Sequence, residues 1–348
     1  MDIKKYPFGI TAKKEAVDRY VLTNQNGCQI ELITYGAAIK SIFVPDRNHV
    51  FTDIALGFDT IQDYEAHNSY MGAIIGRCAN RIENSQFLLN GISYSLSAND
   101  GANHLHGGHV GFDKKVWTAS INQDGVTFSL ISPEGEEGYP GTLHTKVTYT
   151  LSDENQLILR YEAHSNQDTV VNLTNHCYFN LAGHQNGNAL QQTLQIFSDT
   201  YTENNSQCIP TGVISSVEGT PMDFRTPKPI EKDINSSFFQ LENCHGYDHN
   251  WILSSFAGEM KKAAILHDTH SGRALEVSTT MPGIQFYSGN FLDGKPLGKQ
   301  GALYRKHSGI CLETQFFPNA LCHPSFPSPI LRANEIYQHT TVFRFFNK

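Results

Sequence analysis

The sequence predicts an all-β protein built as a large antiparallel β-sandwich. Three observations carry that expectation. Short runs of alternating apolar and polar residues recur along the chain, turn residues punctuate them from end to end, and no long helical periodicity or β-α-β alternation interrupts them. Val17 to Thr23 and Cys28 to Thr34 flank the turn cluster Asn24 to Gly27. Phe87 to Leu89 and Ile92 to Leu96 flank Asn90-Gly91, the strongest short hairpin signal. Asp124-Gly125 marks a second hairpin, between Trp117 to Ile121 and Val126 to Ile131. Thr142 to Leu151 places Val147, Tyr149 and Leu151 on one face. After the turn Ser152 to Asn155, Gln156 to His164 places Leu157, Leu159, Tyr161 and Ala163 on one face. Helical signals are few: Asp59 with Gln62 resembles a capping box and predicts one short helix before Gly72.

The 348 residues suffice for a large core, and no low-complexity linker or internal repeat divides them, so residues 1–348 read as a single domain. Hydrophobic residues at 39% against 17% charged place the chain among folded globular proteins. A net charge of -8 disfavours nucleic acid and anionic membranes as partners and suits a neutral small molecule. The N-terminal stretch lacks the apolar centre of a secretory signal, and no apolar run reaches membrane-spanning length. Seven cysteines without a C-x-x-C pattern fit reduced thiols, and together these features lead us to expect a cytoplasmic protein. The sequons at Asn172, Asn204 and Asn235 then read as chance matches.

Five polar clusters sit in strand-like surroundings. Gly76-Arg77-Cys78-Ala79-Asn80-Arg81-Ile82 offers guanidinium forks suited to hydroxyls or carboxylates. Arg77 reads as a structural tie between loops, and Arg81 is open to either reading. Asn103-His104-Leu105-His106-Gly107-Gly108 alternates two histidines, which on a strand would share a face. With His109 they raise a metal reading, but no partnering ligand set of known spacing follows, and a structural or sugar-binding histidine pair is the better reading. Thr174-Asn175-His176-Cys177-Tyr178-Phe179-Asn180-Leu181 holds a histidine between Asn and Tyr that could fix its tautomer; taken alone it reads better as a satisfied structural histidine. His245-Gly246-Tyr247-Asp248-His249-Asn250-Trp251 combines aromatic faces with a carboxylate, a pairing that suits sugars, although by itself the stretch reads better as a polar loop. Ile310-Cys311-Leu312-Glu313-Thr314-Gln315 puts a glutamate inside an apolar strand, costly unless it is paired or functional, with an ordinary edge-strand glutamate as the other reading. Gln285, in Pro282 to Tyr287, has a similar setting.

Taken together these clusters resemble the galactose mutarotase (aldose 1-epimerase) family. The matching motifs are GRCANRI, NHLHGG, TNHCYFNL, YDHN, PGIQFYSGN and LETQ, in family order between residues 76 and 318. The resemblance implies a β-supersandwich with its site in an open cleft. It implies Glu313 as base and His176 as acid, with Asn80, Arg81, His106, Asp248 and Gln285 holding sugar hydroxyls. One departure is visible: many relatives read Pro-Asp after LETQ, whereas this chain has Pro318-Asn319, beyond the catalytic pair.

Mutarotation opens the pyranose to the aldehyde, rotates C1 and recloses the ring. A base must take the C1 hydroxyl proton and an acid must protonate the ring oxygen, with no net redox change or hydrolysis. The implied enzyme therefore needs no metal and no cofactor. The partner expected is a free hexose such as galactose or glucose, and the chain is expected to be a monomer or homodimer. An open, partly desolvated site would let Glu313 and Asp248 raise the His176 pKa. Three alternatives remain at this level: a hexose-6-phosphate 1-epimerase, a non-catalytic sugar-binding protein, and a glycoside hydrolase using Asp248 as second carboxylate.

Overall fold

The computed structural model describes residues 1–253 and 257–348, and it is dominated by three antiparallel sheets. A nine-stranded sheet runs in the order Thr118–Asn122, Gly125–Ser132, Leu143–Leu151, Gln156–Ser165, Ile336–Asn347, Arg273–Thr279, Lys261–His267, Thr193–Ile196, Lys228–Pro229. A six-stranded sheet runs Tyr178–Phe179, Ile310–Gln315, Gly283–Tyr287, Asp248–Ile252, Thr200–Asn204, Pro210–Ser216. The first five strands, from Asp2–Ile10 to Phe51–Asp53, form a third sheet in sequence order.

Alternation explains how the two large sheets pack. Val147, Tyr149, Leu151, Leu157, Leu159, Tyr161 and Ala163 are buried on one face of the nine-stranded sheet, as the period-two pattern predicts. They join one apolar cluster with Phe179, Trp251, Ile284, Phe286, Ile310 and Leu312 of the six-stranded sheet. Phe179 and Phe343 meet across the interface with ring centroids 5.3 Å apart. The layers are held by area burial, worth roughly 25 cal/mol per Å² of apolar surface removed from water.

The predicted hairpins form with ends shifted by a residue or so. At Asn90-Gly91 both residues have positive φ, 53° and 79°, as a tight two-residue turn requires. The short helix also forms, as Ile61–Ala66, but its cap is not the one expected. Thr60, not Asp59, is the N-cap, its hydroxyl accepting from the Asp63 amide. Asp59 instead accepts from the Gln300 backbone 2.6 Å away. Among the described residues no helix is long and apolar enough to cross a membrane. All seven cysteines are free, six of them buried. Asn172 and Asn204 are buried too, Asn172 bonded to the carbonyls of Ala79 and Phe316, so neither sequon is presented at the surface.

Candidate active site

The six-stranded sheet has one apolar and one polar face, and the polar face builds the site. Ile310, Leu312, Phe286 and Trp251 point into the core, so the alternate residues Cys311, Glu313, Gln285, Tyr287 and Asp248 point the other way. Register pairs Gln285 with Glu313, and Tyr287 with both Cys311 and Asp248. Ile310–Gln315 lies between Tyr178–Phe179 and Gly283–Tyr287, so Glu313 is not on an edge strand. It is 2% exposed.

The loops carrying the other candidates close over this face. Gly107, at φ 88°, lets NHLHGG press against GRCANRI: a Cβ there would lie 1.8 Å from the Gly76 carbonyl oxygen. His106 and Asn80, both at positive φ, lock together through two bonds. The His106 amide donates to the Asn80 carbonyl (3.1 Å), and the Asn80 amide donates to His106 Nδ1 (3.0 Å). That second bond leaves Nε2 of neutral His106 carrying the proton toward the cavity.

The result is a cavity of about 510 Å³ lined by Asn80, Arg81, His106, His176, Asp248 and Glu313, with Tyr70, Tyr178 and Tyr287 as aromatic walls and Phe291 and Lys295 farther along. His176 Nε2 stands 3.7 Å from Glu313 Oε1, while Glu313 Oε2 is buried without a hydrogen-bond partner among the described residues. The other ring nitrogen of His176 faces the Cys311 thiol at 3.6 Å. Arg81 is held by Asp100 at 2.7 Å and by Asp248 at 3.8 Å.

Six of the seven expected site residues line this cavity. Gln285 does not. It stands beside Glu313 on the same sheet face and donates from Nε2 to Asp248 Oδ1 at 2.7 Å, so it orients that carboxylate. The two histidines of NHLHGG do not share a face either, because the left-handed backbone at His106 turns it away. His104 is bonded to the Ser97 carbonyl and the Tyr139 hydroxyl in the protein interior. Arg77 ties loops, bonding the carbonyls of Ser132, Pro133 and Pro140. Asn319 lies outside the cavity, accepting from the Glu83 amide and donating its own amide to the Arg81 carbonyl. The sequence reading missed the walls. Tyr287 and Tyr178 each lie two residues beyond a candidate, Gln285 and His176, which was an available signal, whereas nothing in the sequence marks Tyr70.

Electrostatics correct one further expectation. Burial lowers the His176 imidazole to about 4 instead of neighbouring carboxylates raising it. Burial and then Asp248 hold the Glu313 carboxyl well above the usual range, with Arg81 opposing. Asp248 is raised by burial, against Arg81 and the Gln285 bond. His106 is held well below its usual value by burial, by His176 and by Arg81. The site is drier than an open cleft suggests, and desolvation outweighs the neighbouring charges.

His106, His176 and Glu313 bring ligand-type atoms within 4.8 Å of one another. The chemistry of the set argues against a metal. A ligating imidazole needs a free lone pair on the nitrogen facing the ion and normally donates its other N–H outward. His106 does the reverse, accepting at Nδ1 from an amide and presenting N–H to the cavity. Activity is therefore expected to survive chelation and dialysis. Loss of activity on chelation, restored by zinc or another divalent ion, would overturn this.

Comparison with known proteins shows the family and the fold. Residues 18–344 match the family model described as aldose 1-epimerase. The chain is 46% identical over 330 residues to galactose mutarotase of Rattus norvegicus, covering 95% of this chain and 94% of that one. It is 47% identical over 317 residues to the Homo sapiens galactose mutarotase, covering 91% of each. The crystal structure of galactose 1-epimerase from Lactobacillus acidophilus NCFM superposes with a TM-score of 0.86 at 27% identity, covering 99% of both chains.

Proposed function

The chain belongs to the aldose 1-epimerase family, and from that premise we propose that Glu313 and His176 are the base and acid with which it interconverts the α and β anomers of free hexoses such as D-galactose and D-glucose. The protein is an enzyme of the isomerase class. The observation that carries the residue assignment is the unpartnered Glu313 oxygen beside the His176 ring on the wall of a sugar-sized cavity. Glu313 takes the proton of the C1 hydroxyl and His176 delivers one to the ring oxygen. C1 rotates in the open aldehyde, and reclosure returns both protons.

The remaining groups bind and orient. Arg81 and Asp248, opposite in charge and 3.8 Å apart, offer donors and acceptors to neighbouring hydroxyls. His106 donates from Nε2, Asn80 completes the rim, and Gln285 steadies Asp248. The reading takes residues 1–348 as one catalytic domain, acting in the cytoplasm as a monomer or homodimer, independent of nucleic acid and membranes.

A hexose phosphate fits less well. Among the described residues the lysine and arginine of the cavity are Lys295, two positions from Asp293, and Arg81, already engaged by two carboxylates. A hydrolase would need a second free carboxylate, and Asp248 is tied to Arg81 and Gln285. Polarimetry on freshly dissolved α-D-galactose and α-D-glucose should show the approach to anomeric equilibrium speeding up in proportion to enzyme. Hexose 6-phosphates should gain little and oligosaccharides should not be cleaved. Faster conversion of the phosphates than of the free sugars would replace this reading.

A further inference from the structure

We propose that Tyr70 is a positioning residue for the acid–base pair, its ring clamping the imidazoles of His106 and His176 so that His176 stays aimed at Glu313. The proposal rests on the reading of Glu313 and His176 given above. The two histidines come from separate stretches of chain, and one ring touches both. The Tyr70 ring centroid lies 4.6 Å from that of His106, edge to face, and 5.6 Å from that of His176, tilted by 33°. The imidazoles themselves are 5.3 Å apart and nearly perpendicular; His106 Nδ1 is bonded to the Asn80 amide, whereas His176 Nδ1 meets the Cys311 thiol at 3.6 Å, so the direction of the His176 ring rests largely on the rings around it.

The backbone supports the same role. Tyr70 has φ 58°, in the left-handed region that a bulky aromatic residue rarely occupies. It begins a turn that is bonded directly to the His176 main chain. The Gly72 amide donates to the His176 carbonyl (3.0 Å), the His176 amide donates to the Ala73 carbonyl (2.9 Å), and Asn175 Nδ2 donates to the Gly72 carbonyl (2.7 Å). Gly72 permits this closeness, since a Cβ there would sit 2.0 Å from the Ile39 carbonyl oxygen. The turn thus fixes the His176 backbone and, through Tyr70, the direction of its ring. The surrounding bonds hold this conformation in place, as a positioning role requires.

The contacts that do this are ring contacts, so the proposal separates the ring from the hydroxyl. Tyr70→Phe should keep kcat within about twofold, whereas Tyr70→Ala should lower kcat tenfold or more, since small misplacements of catalytic groups are costly. KM for galactose should change far less, and the alkaline limb of the pH profile should move in Tyr70→Ala alone. Circular dichroism and Tm establish that each variant is folded. The same substitutions in a His176→Asn background complete the test, because a residue acting through His176 costs little once His176 is gone. Wild-type kcat in folded Tyr70→Ala, equal losses in the Phe and Ala variants, or an undiminished Ala effect in the His176→Asn background would each overturn the proposal. If His176→Asn alone were fully active, the acid assignment itself would have failed, which is a separate outcome.

Discussion

Glu313→Gln is expected to lower kcat at least a hundredfold while leaving the fold intact, a loss of about 2.7 kcal/mol or more of transition-state stabilisation. The amide keeps the shape of the side chain but cannot take the proton of the C1 hydroxyl. The structure gives little reason to expect collapse. Glu313 Oε2 has no partner to lose among the described residues, and burial raises the carboxyl well above its usual range, so removing the charge there costs little. Polarimetric rates together with an unchanged Tm would meet the expectation. A folded variant with near-wild-type rates would remove Glu313 from the mechanism.

The second large effect is on pH. Glu313, raised by burial and Asp248, keeps its proton to higher pH than a solvated glutamate. His176, lowered by burial to about 4, releases its proton at lower pH than a solvated histidine. Between those points the pair holds one proton. The ionised and neutral arrangements of that state have equal proton counts, so pH does not convert one into the other, and the two limbs belong to the pair. Arg81, Asp248, His106, Cys311 and the tyrosine walls surround the pair, and burial is the largest influence on both members. The free-enzyme kcat/KM should therefore fall below about pH 4, where a second proton enters the pair. It should fall again at alkaline pH, where the shared proton is lost at the raised Glu313 value. An alkaline limb at the ordinary histidine position would show that the site is wetter than its burial implies.

The sandwich was legible in the sequence because alternation is a local code. Val147 to Leu151 and Leu157 to Ala163 state their buried faces residue by residue, and Asn90-Gly91 states its turn. The helix cap was misread by one position because Asp59 and Thr60 are both good caps and only the chain direction selects Thr60. In the site, Glu313 stood out as a charge inside an apolar strand, but the burial of the whole cavity did not. Desolvation depends on loops, such as those of Tyr70 and His106, that arrive from elsewhere in the chain. For the same reason the sequence could place Gln285 on the polar face but could not tell that its amide is bonded to Asp248. The left-handed turn at His106, which separates it from His104, is set by its bonds to Asn80 and not by its own propensity.

The central claim, that one Glu–His pair opens and closes the ring, is tested most directly by the pH dependence of kcat/KM in folded His176→Asn beside the wild type. With His176 removed, the residual reaction needs only ionised Glu313. The account predicts a much lower rate that rises with pH to a plateau, the wild-type alkaline fall having disappeared. A His176→Asn enzyme with the wild-type rate and the same alkaline fall would contradict it and would make His106 the first candidate for the acid.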